Sequence, residues 1–336
     1  MILEAFLQFE NILSSNGHRN SQPLLCRRFN ILADSATAKI CSSMNQKGSD
    51  LLVVALEKST MPKITADIPV SLNVALQNEI ARTGADESSI VTAALAQFLK
   101  TPVHTLFQVS TSGALVAGVY SVSVSVRTLL QHGDTGLGTF ANLDGEMVVL
   151  DGHAYQVQGT GRVSEAPANA GTPFAVVTQF SPQADLSIGP IASLADLEKS
   201  CDAFRASGNI FYAFRLDGRF KRIRTRAVNP PEAGKRLIDA AKAQSEFRFT
   251  DVTGSLVGLW SPGFSSAFSV AGYHFHFLSD DRQEGGHVLD VESETLRLRM
   301  EALTDFHLAL PETEAFLKAD LSKNTADELA YAEKAH

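Results

Sequence analysis

Between about His104 and Leu310 the chain is a succession of short runs in which apolar and polar residues alternate or β-branched and aromatic types crowd together, separated by Gly, Asp and Asn. FQVST, MVVLDG, HAYQVQG, FAVVTQF, IFYAFRLDG, RIRTRAV, SLVGLW, FSVAGYHFHFL and HVLDVESETLRLRM are runs of this kind. A period of two places successive side chains on opposite faces of a strand, so this texture commits the region to sheet. Helical stretches are fewer: VRTLLQH, SLADLEKSCDAFRAS, AGKRLIDAAKAQ and, in the tail, ETEAFLKADL. The expected body, over 104–336, is therefore α+β and dominated by mixed or antiparallel β-sheet. It carries neither the glycine fingerprint of a dinucleotide fold nor a Walker loop, and no internal repeat stands out.

Ahead of this body the texture differs. Residues 1–60 mix Ser, Asn and Arg with short apolar runs and no sustained period, which predicts a poorly ordered extension with one strand or helix at Leu51 to Leu56. A more regular sequence starts at Met61, and one reading of that change is that translation begins there. From Ile64, ITADI reads as a strand, VSLNVALQNEIART as a helix and DESSIVTAALAQFL, capped by Ser88 or Asp86, as a second helix. This strand-helix-helix order over 61–103 resembles a ribbon-helix-helix module. A DNA-reading version would present Arg, Lys, Gln or Asn on its strand, whereas this one offers Thr65 and Asp67 with only Lys63 nearby. A dimerising or packing appendage is the favoured expectation.

Bulk composition narrows the partners. The formal net charge of -8 and the lack of a long basic run argue against nucleic acid and against anionic membrane, leaving small molecules. Cys26, Cys41 and Cys201 are odd in number and far apart, which fits neither a disulfide framework nor a thiolate zinc site. No apolar run reaches the roughly 18–20 residues that span a bilayer. The opening segment carries Glu4 and Glu10 where a secretory signal carries positive charge. The expectation is a cytoplasmic protein.

The segment GYHFHFLSDDRQEGGHVLD, Gly272 to Asp290, contains the sharpest chemistry. Residues i and i+2 of a strand project from one face about 6.5–7 Å apart, close enough for His274 and His276 to converge on one ion. The polar, glycine-rich LSDDRQEGG turns the chain, and His287 opens the returning strand beside them. Three imidazoles with an open fourth position describe a catalytic zinc site; ordinary packed strand histidines are the competing reading. A cupin also uses HxH on a strand but follows it with a Glu a few residues on, where this chain has Phe277 to Asp281 and places Glu284 inside the apparent turn.

Taken together, FQVST, HGDTGLGTFANLDGEMVVLDGHAYQV, TPFAVVTQF, NIFYAFRLDGRFKRIRTRAV and the histidine segment resemble the α-acetolactate decarboxylase family, in that family's order, over about Leu106 to Glu333. The resemblance implies a two-subdomain α+β fold and a homodimeric, zinc-dependent lyase that converts 2-acetolactate to acetoin and carbon dioxide. It implies zinc on His274, His276 and His287, an acidic residue at Glu146 of LDGE, an arginine at Arg226 of TRAV and a tail glutamate at Glu333, with Glu328 as the fallback. Thr139 of GLGTF is implied as a pocket-lining residue. The chain departs from the family at Tyr120-Ser121-Val122, where YDG is common, and at Asp134-Thr135-Gly136, where GDFG is, so pocket shape is where it is expected to differ.

The chemistry requires such groups. Loss of carbon dioxide leaves an electron pair that the adjacent carbonyl must accept as an enediolate, and a Zn²⁺ ion stabilises that charge by several kcal/mol. An arginine can grip the carboxylate through two hydrogen bonds, and Glu146 or Glu333 can deliver the final proton if burial raises its pKa. Alone, Glu146 reads as a turn acid and Arg226 as one of three arginines, with Arg222 and Arg224, on a solvated strand face. His132 and His153 carry mainly structural expectations. Two other functions compete: a cupin-like metalloenzyme acting on another keto or hydroxy acid, and a metabolite-sensing regulator using the N-terminal module on DNA.

Overall fold

A computed structural model of the chain describes residues 65–83, 87–99, 104–232, 235–323 and 325–333, together with the backbone of strands β1 (Arg27–Arg28), β2 (Ala38–Met44) and β3 (Asp50–Leu56). It divides into two compact units, Met1–Ala75 and Leu76–His336. In the first, β2 and β3 pair antiparallel from Ala38 opposite Leu56 to Met44 opposite Asp50, and β1 adds to β2. Within the extension expected to be poorly ordered, the run at Leu51 to Leu56 is thus a strand, as are Arg27–Arg28 and Ala38–Met44; the remainder of 1–60 lies outside the described residues.

Both helices expected before the body form, as α1 (Val70–Thr83) and α2 (Glu87–Leu99). Pro69, whose missing N–H suits a helix start, accepts from the amides of Leu72 and Asn73 at 3.0 Å each. Of the strand expected in the ribbon-helix-helix module, Thr65 to Pro69 pair with no strand among the described residues, and Ile64 lies outside them. A strand exists only through a neighbour's hydrogen bonds, and alternation in ITADI supplies none.

The body is built on two sheets. The first comprises β4 (Thr105–Val109), β6 (Thr135–Thr139), β7 (Glu146–Leu150), β8 (His153–Val157), β9 (Val163–Glu165), β11 (Phe174–Thr178) and β18 (Asp305–Ala309), in the order β18-β4-β11-β6-β7-β8-β9. All pair antiparallel except β18, which lies parallel to β4. A two-stranded ribbon of β5 (Val124–Ser125) and β10 (Gly171–Thr172) stands apart. The second sheet orders β12 (Ala184–Ile188), β17 (Leu296–Leu303), β13 (Phe211–Ala227), β14 (Ser245–Ser261), β15 (Gly272–Ser279) and β16 (Gly285–Glu292).

Two strands of this second sheet are far longer than their sequence runs suggest. IFYAFRLDG and RIRTRAV are one 17-residue strand, and Asp217-Gly218 is ladder rather than turn, opposite Ser255 and Gly254. The length matters because the far end of β13 leaves β17 behind and pairs with β16 instead, Arg226 opposite His287. With β13–β14, β14–β15 and β15–β16 also paired, the four strands close a ring and leave no open edge there.

The ring encloses an apolar core in which Phe214, Leu216, Phe220, Leu256, Phe277 and Leu298 are fully buried. The sheets pack on each other through Val148 and Leu150 of β7 against Val257 and Leu278. Short helices complete the body: α3 (Ser112–Val116), α4 (Val126–Leu129), α5 (Leu194–Asp202), α6 (Leu237–Lys242), α7 (Glu314–Lys318) and α8 (Ala326–Glu333). Helix α8 lies beyond the tail helix expected at ETEAFLKADL and has no counterpart among the expected elements. Among the described residues no helix is long and apolar enough to cross a membrane.

Phe277 is 0% exposed and meets Phe220 edge to face at 5.2 Å inside the ring. Phe277→Ala is expected to cost about 3–5 kcal/mol through lost burial and the cavity left behind, read as a lower urea midpoint of unfolding.

Candidate metal centre and active site

Local folding brings the histidine segment together as its spacing suggests. His276 and His287 are direct partners across the β15–β16 ladder, and His274 lies two residues before His276 on the same face. The turn is closed by Ser279, whose Oγ accepts from the amides of Gln283 at 3.2 Å and Glu284 at 2.9 Å, so Glu284 belongs to the turn and not to the site. His274 Nε2 is 3.1 Å from His276 Nε2 and 3.0 Å from His287 Nδ1.

The outer nitrogens set the tautomers. His276 Nδ1 lies 2.8 Å from the Met147 carbonyl and His287 Nε2 lies 3.1 Å from the Glu333 carbonyl, and a carbonyl can only accept. Each of these rings therefore donates outward and turns an unprotonated nitrogen inward, toward His274. Burial, helped by the nearby Arg226 charge, lowers the His274 pKa to about 3. Burial and then His274 lower His276 to about 3, and burial puts His287 well below its ordinary value. Neutral imidazoles with converging lone pairs are the donor set of a divalent transition metal, and a proton on His274 could satisfy only one neighbour. The three ligand atoms lie within 4.8 Å of one another, so the residues fit such an ion.

Arg226 follows from the strand pairing. Arg222 and Arg224 share its face but their side chains are 56% and 27% exposed, whereas that of Arg226 is 4% exposed, because β7 and α8 cover this end of β13. The solvated-face reading holds for the first two and fails for Arg226. Its Nη1 donates to Glu146 at 3.4 Å and its Nη2 to Glu333 at 3.0 Å, while its Nε is buried with no hydrogen-bond partner among the described residues.

Glu146 begins β7 behind a strained loop. Asn142, Leu143 and Gly145 all have left-handed backbone, with φ of 61°, 53° and 87°. A Cβ on Gly145 would come within 2.2 Å of the Val157 carbonyl, so only glycine lets the chain pass there. The Thr139 hydroxyl donates to the Gly145 carbonyl at 2.7 Å, fixing the loop from below. Glu146 is only 6% exposed and accepts from the Val228 amide at 3.3 Å. Burial pushes its pKa up to about 7; Glu333 adds to this, while Arg226 and the Val228 amide oppose it. The turn-acid reading does not describe so enclosed a carboxyl.

Glu333 ends α8, with Oε2 3.5 Å from His287 Nδ1 and 3.7 Å from His274 Nε2. The fallback, Glu328, pairs with Arg236 nearer the surface. Thr139, Glu146, Arg226, His274 and Glu333 line a cavity of about 40 Å³ whose remaining wall is apolar. Leu143, Phe174 and Leu329 belong to that wall and were not singled out from sequence; Leu329 stands one turn before Glu333, a spacing that becomes informative once α8 is known to be a helix. On the other side of His274 and Glu333 lies a wider cleft of about 720 Å³, lined by His287, Trp260 and Tyr273. Other described histidines stand elsewhere: His153 pairs with Glu165 at 2.8 Å, His104 with Glu301 at 2.6 Å, and His132 stacks on Phe107.

Known proteins match this chain over the region that builds the site. The family described as Alpha-acetolactate decarboxylase matches residues 106–323. An Alpha-acetolactate decarboxylase of Brevibacillus brevis is 36% identical over 69% of this chain and 82% of its own length. One from Methanosarcina mazei is 39% identical over 68% of this chain and 80% of its own. The crystal structure of alpha-acetolactate decarboxylase from Bacillus subtilis strain 168 superposes with a TM-score of 0.67 at 33% identity, covering 69% of this chain and all of that one. With family, relatives and fold in agreement over the strands that carry the histidines, Glu146 and Arg226, this chain belongs to the alpha-acetolactate decarboxylase family, whose members are carboxy-lyases.

Proposed function

We propose that this chain decarboxylates 2-acetolactate to acetoin and carbon dioxide, with a zinc ion held by His274, His276 and His287. The observation that carries the reading is the convergence of three buried imidazoles, with one ring nitrogen of each within 4.8 Å of the others, beside a buried arginine and a near-neutral carboxyl. The names of the relatives supply the substrate. When bound, the zinc supplies a Lewis acid for the negative charge that develops on the substrate oxygens.

Arg226 would hold the carboxylate. Its Nε–H, without a hydrogen-bond partner among the described residues, gives it a donor to spare beyond the two that meet Glu146 and Glu333. Breaking the carbon–carbon bond releases neutral carbon dioxide and leaves the electron pair on the former carbonyl as an enediolate. A carboxyl with a pKa of about 7 is protonated in a large fraction of molecules near neutral pH, so Glu146 can hand one proton to the carbon and recover it from water. The apolar wall of the cavity confines the substrate's methyl groups and so selects the face that receives the proton.

The test is metal content by mass spectrometry on purified protein, with acetoin formation from racemic acetolactate measured with and without chelator. About one zinc per chain and chelator-sensitive acetoin are expected, and His274→Ala, His276→Ala and His287→Ala should each lose both; a protein active without metal sinks the reading. Glu146→Gln should keep its zinc while kcat falls about 10²–10⁴-fold, the usual worth of a positioned general acid. Arg226→Lys should lower kcat/KM about 10–100-fold, since a hydrogen bond to a charged group contributes about 1.5–3 kcal/mol and an ammonium cannot replace the fork.

A further inference from the structure

Helix α8 has only eight residues, too few to be stable as an isolated helix. It is held by its neighbours. Leu329 and Ala332 are 4% and 2% exposed and join the apolar cluster of Leu115, Leu237 and Ala240 from α3 and α6, while Glu328 pairs with Arg236.

The last carbonyls of any helix lack partners within it and form the negative end of its dipole. In α8 that end is aimed at the histidine cluster, and the Glu333 carbonyl meets His287 Nε2 at 3.1 Å. One residue thus makes two different contacts with the site: its carboxylate stands 3.5 Å from the inner nitrogen of His287, and its backbone carbonyl fixes the outer one. Without the carbonyl, His287 has no contact among the described residues that selects the tautomer leaving Nδ1 unprotonated. The ring would then be free to carry its hydrogen on the nitrogen that faces His274.

We propose that the backbone carbonyl of Glu333 is a positioning group for His287, and that docking of α8 and loading of the metal are therefore one coupled equilibrium. This rests on the metal reading above. Linkage makes the coupling reciprocal: metal must tighten the docking of α8 by the same factor by which docking tightens the metal. Loss of an outer contact to a metal-ligating histidine typically weakens metal binding about 10–100-fold.

The experiment compares zinc affinities, by competition with a chromophoric chelator, of the unaltered chain, Glu333→Ala and Leu329→Asp. Glu333→Ala removes the carboxylate but keeps the carbonyl. Leu329→Asp changes no group that touches the metal but puts a charge into the apolar seat of α8 and expels the helix, so both contacts go. Leu329→Asp is expected to bind zinc at least about tenfold more weakly than Glu333→Ala; equal affinities would overturn the proposal. Hydrogen exchange on the unaltered chain needs no variant to fold: zinc should slow the amides of 326–333 clearly, and unchanged exchange there would overturn it as well. If the unaltered chain takes up no zinc, the metal reading fails first, and that outcome is distinct from zinc binding that is indifferent to α8.

Discussion

The buried guanidinium of Arg226 is the interaction around which the site is organised. A charge that is 4% exposed is retained only with partners, and its partners come from two elements distant in sequence, Glu146 on β7 and Glu333 on α8. The same charge discourages protonation of His274 and His287, adding to the effect of burial. Removing either carboxylate would leave a charge partly unpaired in a buried cavity, so the three residues act as a unit that joins the first sheet, the strand ring and the last helix.

What puts Arg226 there is the length of β13. A strand that ended at Asp217-Gly218 would pair only with β14 and β17. By running on to Ala227 it reaches β16 and sets Arg226 opposite His287, while His287 is itself opposite His276. The ring closure is therefore also the device that aligns the site, since three neighbouring strands fix one arginine and two histidines in register without help from flexible loops. The remaining carboxyls come from less regular backbone, a left-handed loop before Glu146 and a short docked helix before Glu333.

That division explains what could be read from the sequence. Period-two runs and the HxH spacing are local, and they gave the strands of the body and the pairing of His274, His276 and His287 before any coordinates. The merger of two runs into one strand was hidden because Asp and Gly usually end strands, and only cross-strand partners for Asp217 and Gly218 override that preference. The run before Val70 is the converse case, a good local pattern without a strand partner among the described residues. The burial of Arg226 against the exposure of Arg222 was equally hidden, since alternation gives a face but not what covers it. Glu333 and Leu329 were obscured because a helix of eight residues is made by its docking, and the wall of the cavity is assembled from positions scattered between Leu115 and Ala332.

The charges of the assembled site also bear on what it can hold. Three neutral imidazoles, one guanidinium and two carboxyl groups, one of them raised by burial to a pKa of about 7, share a medium of low dielectric, where an unbalanced charge is costly. On the reading proposed above, a divalent cation there would add positive charge that a substrate carboxylate offsets. Loss of neutral carbon dioxide would leave that negative charge on the oxygens of the enediolate, so the balance would persist after the bond has broken. Protonation at carbon would end it, and the neutral product would have less to hold it than the anion that entered. A carboxyl such as Glu146, held near neutrality by its burial, suits that last step because it exchanges its proton without demanding a fixed charge of its own.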